Sequence, residues 1–155
     1  TELGRWLRSK NAVEKIGDYI FVHGGISKNF PAEYDIEAIN NNTRECIDKT
    51  YPEGTMSKDI FIGSGGPLWY REIADLKESQ DDVENTLRRF GAEKMIIGHT
   101  IISDSVSYLY NERVIAIDLE HEVNTSNGIM QALYYENGVF YITDHLGRKT
   151  ILTRD

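Results

Sequence analysis

One cysteine, Cys46, stands in the whole sequence, so no intramolecular disulfide can form and the fold owes nothing to an oxidising compartment. No apolar run approaches the roughly 20 residues that a membrane-spanning helix needs, and no basic segment followed by an apolar signal core opens the chain. The compartment stays open. Basic residues are also in short supply. The 17 Lys and Arg stand against 25 Asp and Glu, and the resulting formal charge of -8 disfavours unspecific attraction to nucleic acid or to an anionic membrane surface. Any phosphate handled here must be met by local cations. Repeats, low-complexity tracts and linker-like stretches are absent too. With 40% apolar and 27% charged residues over 155 positions, a single domain spanning 1–155 is expected. The sequence opens without Met, in an amphipathic stretch over residues 1–8 that reads as the end of a helix already under way, which raises the expectation of an upstream segment.

Hydrophobic periodicity predicts the elements that are present. A short helical stretch runs from residue 12 into Tyr19-Ile20-Phe21-Val22, an apolar run that reads as a buried strand. Asp35 is placed to cap a helix with Ile36, Ile39, Thr43, Cys46 and Ile47 on one face, and Pro52 lies beyond its end. Residues 51–66, with Gly54, Gly63, Gly65 and Gly66, read as a long loop carrying a short strand at Ile60-Phe61-Ile62. A second helix places Asp81 and Asp82 at its start, Val83, Leu87 and Phe90 on one face and Gly91 at its end. Met95-Ile96-Ile97 is a second buried strand. From residue 104 the period switches to two, with strands expected at 106–110, 114–118, 129–135, 140–143 and 150–153 and turns at Asn111-Glu112, Asn137-Gly138 and Leu146-Gly147. The expected architecture is α/β, ending in an antiparallel sheet.

Two strand ends carry the chemistry. His23-Gly24-Gly25 follows one buried strand and Gly98-His99-Thr100 follows the other, and the carboxyl ends of strands are where open α/β sheets place their ligand crevice. Neutral imidazoles reaching one crevice from two strands suit a divalent transition metal, and adjacent glycines let a phosphate approach the backbone. A hydrogen-bonded turn histidine fits either site equally well when it is considered alone. Arg71, in a Gly-rich loop after Trp69 and Tyr70, is a candidate bidentate phosphate ligand, while those two aromatics are expected to pack. Glu120-His121-Glu122 offers three potential ligands, but after a strand they would alternate sides. Asp118 is expected to be structural and His145 exposed. Ser64-Gly65-Gly66 lacks the Lys-Ser or Lys-Thr and the following helix of a P-loop.

Three segments together resemble a known family. Ile20-Phe21-Val22-His23-Gly24-Gly25-Ile26-Ser27 is similar to the strand-plus-VHGG(L/I)S motif of calcineurin-like metallophosphoesterases, the superfamily that includes serine/threonine protein phosphatases and diadenosine tetraphosphatases. Ile96-Ile97-Gly98-His99-Thr100 resembles their later GHT motif, and Gly66-Pro67-Leu68-Trp69-Tyr70-Arg71 resembles the GPLWYR segment of bacterial members. The resemblance implies an αββα sandwich with two divalent metal ions (Mn, Fe or Zn), His23 and His99 on the second metal, and a bridging hydroxide that attacks phosphorus in line. It also implies Arg71 as a phosphate ligand.

The family's DxH, GDxxDRG and GNHE motifs do not occur in these 155 residues. The chain is therefore expected to be the C-terminal half of such a catalytic domain, inactive by itself, with strand edges before His23 and His99 left open to self-association. The resemblance makes the parent a metal-dependent phosphoric ester hydrolase, similar to the serine/threonine phosphatase branch, acting on phosphoproteins or small phosphate esters. Dinucleoside polyphosphates are an alternative substrate, and a non-enzymatic β-rich binding module with structural histidines is the alternative from another class.

Overall fold

The apolar run that ends at His23 is a strand paired on both sides. In the computed structural model, which describes residues 1–49 and 56–154, Val13–Ile16 (β1) folds back antiparallel on Tyr19–Val22 (β2). The turn between them is Gly17-Asp18, with Gly17 at φ 59°, the left-handed conformation that a two-residue hairpin asks of its first loop position. The helical stretch expected before β2 is therefore strand. Its pattern of one buried residue in four, Val13, gave the helical period no contradiction.

The other side of β2 pairs in parallel with Lys94–Ile97 (β3), and β3 pairs in parallel with Val114–Ala116 (β5), whose antiparallel neighbour is Ser107–Leu109 (β4). The order β1-β2-β3-β5-β4 makes a five-stranded mixed sheet. Both strands that lead to the histidines are thus interior, which corrects the expectation that their edges are open. The edge strands are β1 and β4.

Alternation of side chains divides the sheet into two packing faces. Ile20, Val22, Met95, Ile97, Val114 and Ala116 face one core with the helices Ile36–Asp48 (α2), Met56–Ile62 (α3) and Gln80–Arg89 (α4). Asp35 caps α2 by accepting from the Ala38 amide at 2.8 Å, and Ser79 and Asp82 close a reciprocal capping box on α4. On the opposite face Ile96 and Ile115 meet Leu119, Phe140 and Leu152. Phe140 belongs to the second layer, an antiparallel meander of Gln131–Glu136 (β6), Val139–Asp144 (β7) and Lys149–Ile151 (β8). The expected architecture, α/β with a terminal antiparallel sheet, is the observed one. Glu2–Arg8 (α1) packs more loosely and buries none of its residues.

Two local expectations fail. Ile60-Phe61-Ile62 lies in α3 rather than in a strand, because a run of three apolar residues cannot separate the two periods and Phe61 is decided by tertiary packing. Its ring meets Phe30 at 5.8 Å and Tyr34 at 5.1 Å, both edge-on. Glu120-His121-Glu122 opens the helix His121–Ser126 (α5) instead of extending a strand, and all three side chains point to solvent. Pro52 and Gly54 lie outside the described residues.

Asn40 ties α2 to the edge of the sheet. Its Oδ1 accepts from the Ala12 and Val13 amides at 2.8 and 2.9 Å while its Nδ2 donates to the Val13 carbonyl at 2.8 Å, both Val13 bonds buried and the Ala12 bond partly so. Replacing it by Leu strands three backbone groups, so Asn40→Leu should lower unfolding stability by about 2–4 kcal/mol. Urea denaturation at unchanged slope checks this, and a midpoint within error of the parent would show that water replaces the amide.

Candidate active site

Register alone brings the two histidines together. Val22 stands opposite Ile97 in the parallel β2–β3 pair, so the residues that follow emerge side by side, and the Gly98 amide donates to the His23 carbonyl at 2.9 Å. The His23 and His99 ring centroids lie 4.9 Å apart. His99 reaches this position from a backbone with φ 64°, unusual for a residue with a side chain, inside a three-residue turn closed by the Thr100 amide on the Gly98 carbonyl at 2.7 Å. Conformations of this kind cost of order 1–3 kcal/mol and are concentrated at functional sites.

The Gly66-to-Arg71 segment closes the third side. The Gly24 amide donates to the Pro67 carbonyl at 2.7 Å, and a Cβ on Gly24 would stand 2.7 and 2.8 Å from the Tyr70 amide nitrogen and carbonyl oxygen. Only glycine permits that approach. Tyr70 is buried and its hydroxyl donates to the buried carboxylate of Glu78, which Lys28 meets with its backbone amide at 3.3 Å and its ammonium at 3.3 Å. Burial, then the carboxylate of Glu78, pushes the Tyr70 phenol far up. Arg71 follows on the exposed side and donates from Nη1 to the Thr100 hydroxyl at 3.1 Å, beside His99.

Of the sequence-predicted residues, His23 and His99 are therefore brought side by side, and Arg71 is held next to them through Thr100. Asp118 is half-buried nearby, with His121 Nε2 at 3.9 Å, and His145 is exposed. The expectation that Trp69 packs like Tyr70 is overturned: Trp69 is 54% exposed, its ring perpendicular to that of His99 at 5.1 Å. Glu78 was not singled out from sequence, since a lone Glu in a polar loop gives no sign that it is buried.

The imidazoles suit a metal in two respects. His99 Nε2 is enclosed and has no hydrogen-bond partner among the described residues, an orphaned lone pair or proton of the kind a ligand satisfies. Burial, the Arg71 guanidinium and His23 lower the His99 pKa, against a smaller opposing pull from Asp118, which keeps the ring in its neutral, ligating form. Among the described residues no group of three His, Cys, Asp or Glu side chains is placed to hold a metal ion. Two imidazoles alone do not complete a metal shell, since a tetrahedral or larger one requires further donors.

Comparison with known proteins points to phosphatases. The chain is 27% identical over 147 residues to Shewanella-like protein phosphatase 2 of Arabidopsis thaliana, covering 91% of this chain and 37% of that one. A solved cold-active protein tyrosine phosphatase superimposes with a TM-score of 0.84 at 29% identity, covering 99% of this chain and 45% of its own. That of a psychrophilic Shewanella species gives 0.83 at 28% identity, with 99% and 46% covered. The chain resembles phosphatases in sequence and in fold. It spans less than half the length of each of these relatives, and no protein-family model matches it.

The close approach at Gly24 yields a test. Gly24→Ala must push the Trp69-to-Arg71 backbone away from His23, and such overpacking costs about 1–3 kcal/mol, read as a lowered thermal or urea midpoint. A second test follows from His99. Its folded pKa lies below the ordinary 6.5, so the unfolded chain binds that proton better and the metal-free fold weakens as pH falls through 6.5, with no effect well above it. Imidazole NMR titration of the metal-free protein should place His99 below 6.5, and a value above it would contradict the enclosed geometry.

Proposed function

We propose that this chain carries part of the active site of a metal-dependent phosphatase, resembling calcineurin-like metallophosphoesterases, in which His23 and His99 hold one of two divalent ions and Arg71 binds the phosphate. The observation that carries the reading is the convergence of the His23 and His99 rings at 4.9 Å with Arg71 held beside them through Thr100. Close divalent ions supply charge to lower the pKa of water and stabilise both oxygens of an in-line displacement. Arg71 neutralises and orients the phosphate with paired N–H donors. The Thr100 hydroxyl presets the guanidinium, and Trp69 shields one side of His99 from water.

Two histidines do not complete a two-metal shell, and the reading therefore assigns the remaining ligands to a segment outside these 155 residues. The coverage of under half of each relative supports this. The substrate class is phosphate esters, with phosphoproteins favoured by what the relatives are named for, phosphotyrosine in the solved structures. Among the described residues no helix is long and apolar enough to cross a membrane.

Turnover of p-nitrophenyl phosphate by the full-length polypeptide tests the proposal. Activity should disappear with EDTA and return with Mn, and His23→Ala or His99→Ala should weaken Mn binding as well as turnover. Arg71→Ala should lower kcat/KM by roughly a hundredfold. Turnover that survives exhaustive chelation would sink the metal assignment, and unchanged kcat/KM in Arg71→Ala would return that arginine to the surface. The 155-residue chain purified by itself should release no phosphate.

A further inference from the structure

We propose that Trp69 is a specificity-determining residue of this site, a platform that favours aryl over alkyl phosphate esters; the inference rests on the phosphatase reading above. Two neighbouring aromatics of the same loop take opposite fates. Tyr70 is 5% exposed and braced by Glu78, whereas Trp69 leaves 54% of its surface open. Burying a side chain of that size is among the largest single gains a core can make, yet packing within these 155 residues leaves the indole open in a loop that already has a buried anchor. Its place is equally particular. Trp69 stands perpendicular to His99 at 5.1 Å, two residues from Arg71, and both Trp69 and Arg71 line a groove of about 570 Å³ that residues 63–65 and the charged Glu72, Asp75 and Lys77 also line.

That geometry orders the substrate. With the phosphate at Arg71 and the histidines, we place the group esterified to it in the groove that Arg71 lines, where the indole offers a flat apolar surface. A phenyl ring can stack or stand edge-on against it, gaining what aromatic pairs contribute beyond area burial, equivalent to roughly two- to tenfold in binding. An alkyl side chain such as that of serine is too short to cover the indole. The chemistry is common to both classes: the oxygen of water bonds to phosphorus, the ester P–O bond breaks, and the departing oxygen ends protonated. Selectivity from Trp69 therefore lies in the group behind the leaving oxygen. A purely structural Trp69, one that only supports His99, would affect every ester alike.

The test uses the full-length polypeptide with Mn and two peptides of one sequence, bearing phosphotyrosine or phosphoserine. The quantity is the ratio of their kcat/KM values in the variant relative to the parent, which cancels the intrinsic advantage of a phenol as leaving group. Trp69→Leu should lower the ratio by about two- to tenfold, while Trp69→Phe, which keeps a ring, should lower it less than Trp69→Leu does. Since the position is half open, both variants are expected to keep the parental circular dichroism. Equal losses on the two peptides in Trp69→Leu, or an unchanged ratio, would overturn the proposal while leaving the phosphatase reading intact. Absence of phosphate release from either peptide by the parent would overturn that reading, and this one with it.

Discussion

The parallel pairing of β2 with β3 is the constraint on which the candidate site depends. Because Val22 faces Ile97 across the ladder, both chains run out of the sheet at the same level, and the side chains that follow must share one crevice. Slipping that register by one residue would turn Ile20, Val22, Met95 and Ile97 away from the helical core, a loss of several fully buried side chains at about 1.5–3 kcal/mol each. The same packing that fixes the fold therefore fixes the distance between His23 and His99. Stability and site geometry are set by one set of contacts.

The site's third side has a different origin. The loop from Gly66 to Arg71 is not part of any sheet, and its position is determined by polar anchoring: the Gly24 amide on Pro67, and the buried Glu78 carboxylate holding the Tyr70 hydroxyl. A buried carboxylate is costly to desolvate; here Oε1 accepts from the phenol and the Lys28 amide, while Oε2 has no hydrogen bond and faces the Lys28 ammonium as an ion pair at 3.3 Å. Removing one of these partners leaves the charge under-satisfied, so the anchor is specific where an apolar contact would tolerate sliding. Arg71, one residue beyond, inherits that definition.

Much of this was legible in the sequence, for identifiable reasons. β2 and the Met95-Ile96-Ile97 part of β3 are unbroken apolar runs that end in His-Gly or Gly-His, and α2 and α4 show a helical period, so element type followed directly. The Asp35 cap of α2 was legible too, whereas α4 begins at Gln80 behind a Ser79 cap, ahead of the expected Asp81 and Asp82. β1 was lost because four residues with one buried position carry no period, and its identity rests on the hairpin that Gly17 permits. α3 was lost because three consecutive apolar residues fit either element until Phe61 meets Phe30 and Tyr34. Convergence of the two histidines followed from strand ends alone. The burial of Glu78 and the exposure of Trp69 had no local signal, since each is decided by what lies across the loop.

The exposed indole and the strained histidine also bear on each other. His99 sits at φ 64° with an enclosed Nε2 lacking a partner, two features that oppose folding unless something else relies on them. The turn closed by Thr100 on Gly98 holds the backbone, the perpendicular Trp69 ring limits the imidazole's rotation, and Thr100 in turn receives Arg71. Each of these restraints removes freedom from a side chain before any ligand arrives. A ligand binding there would lose less conformational entropy in ordering the site, which is how preorganisation converts folding strain into affinity. The cost is carried by the two cores on either face of the sheet, where Ile20, Met95, Val114 and Ile115 are fully enclosed.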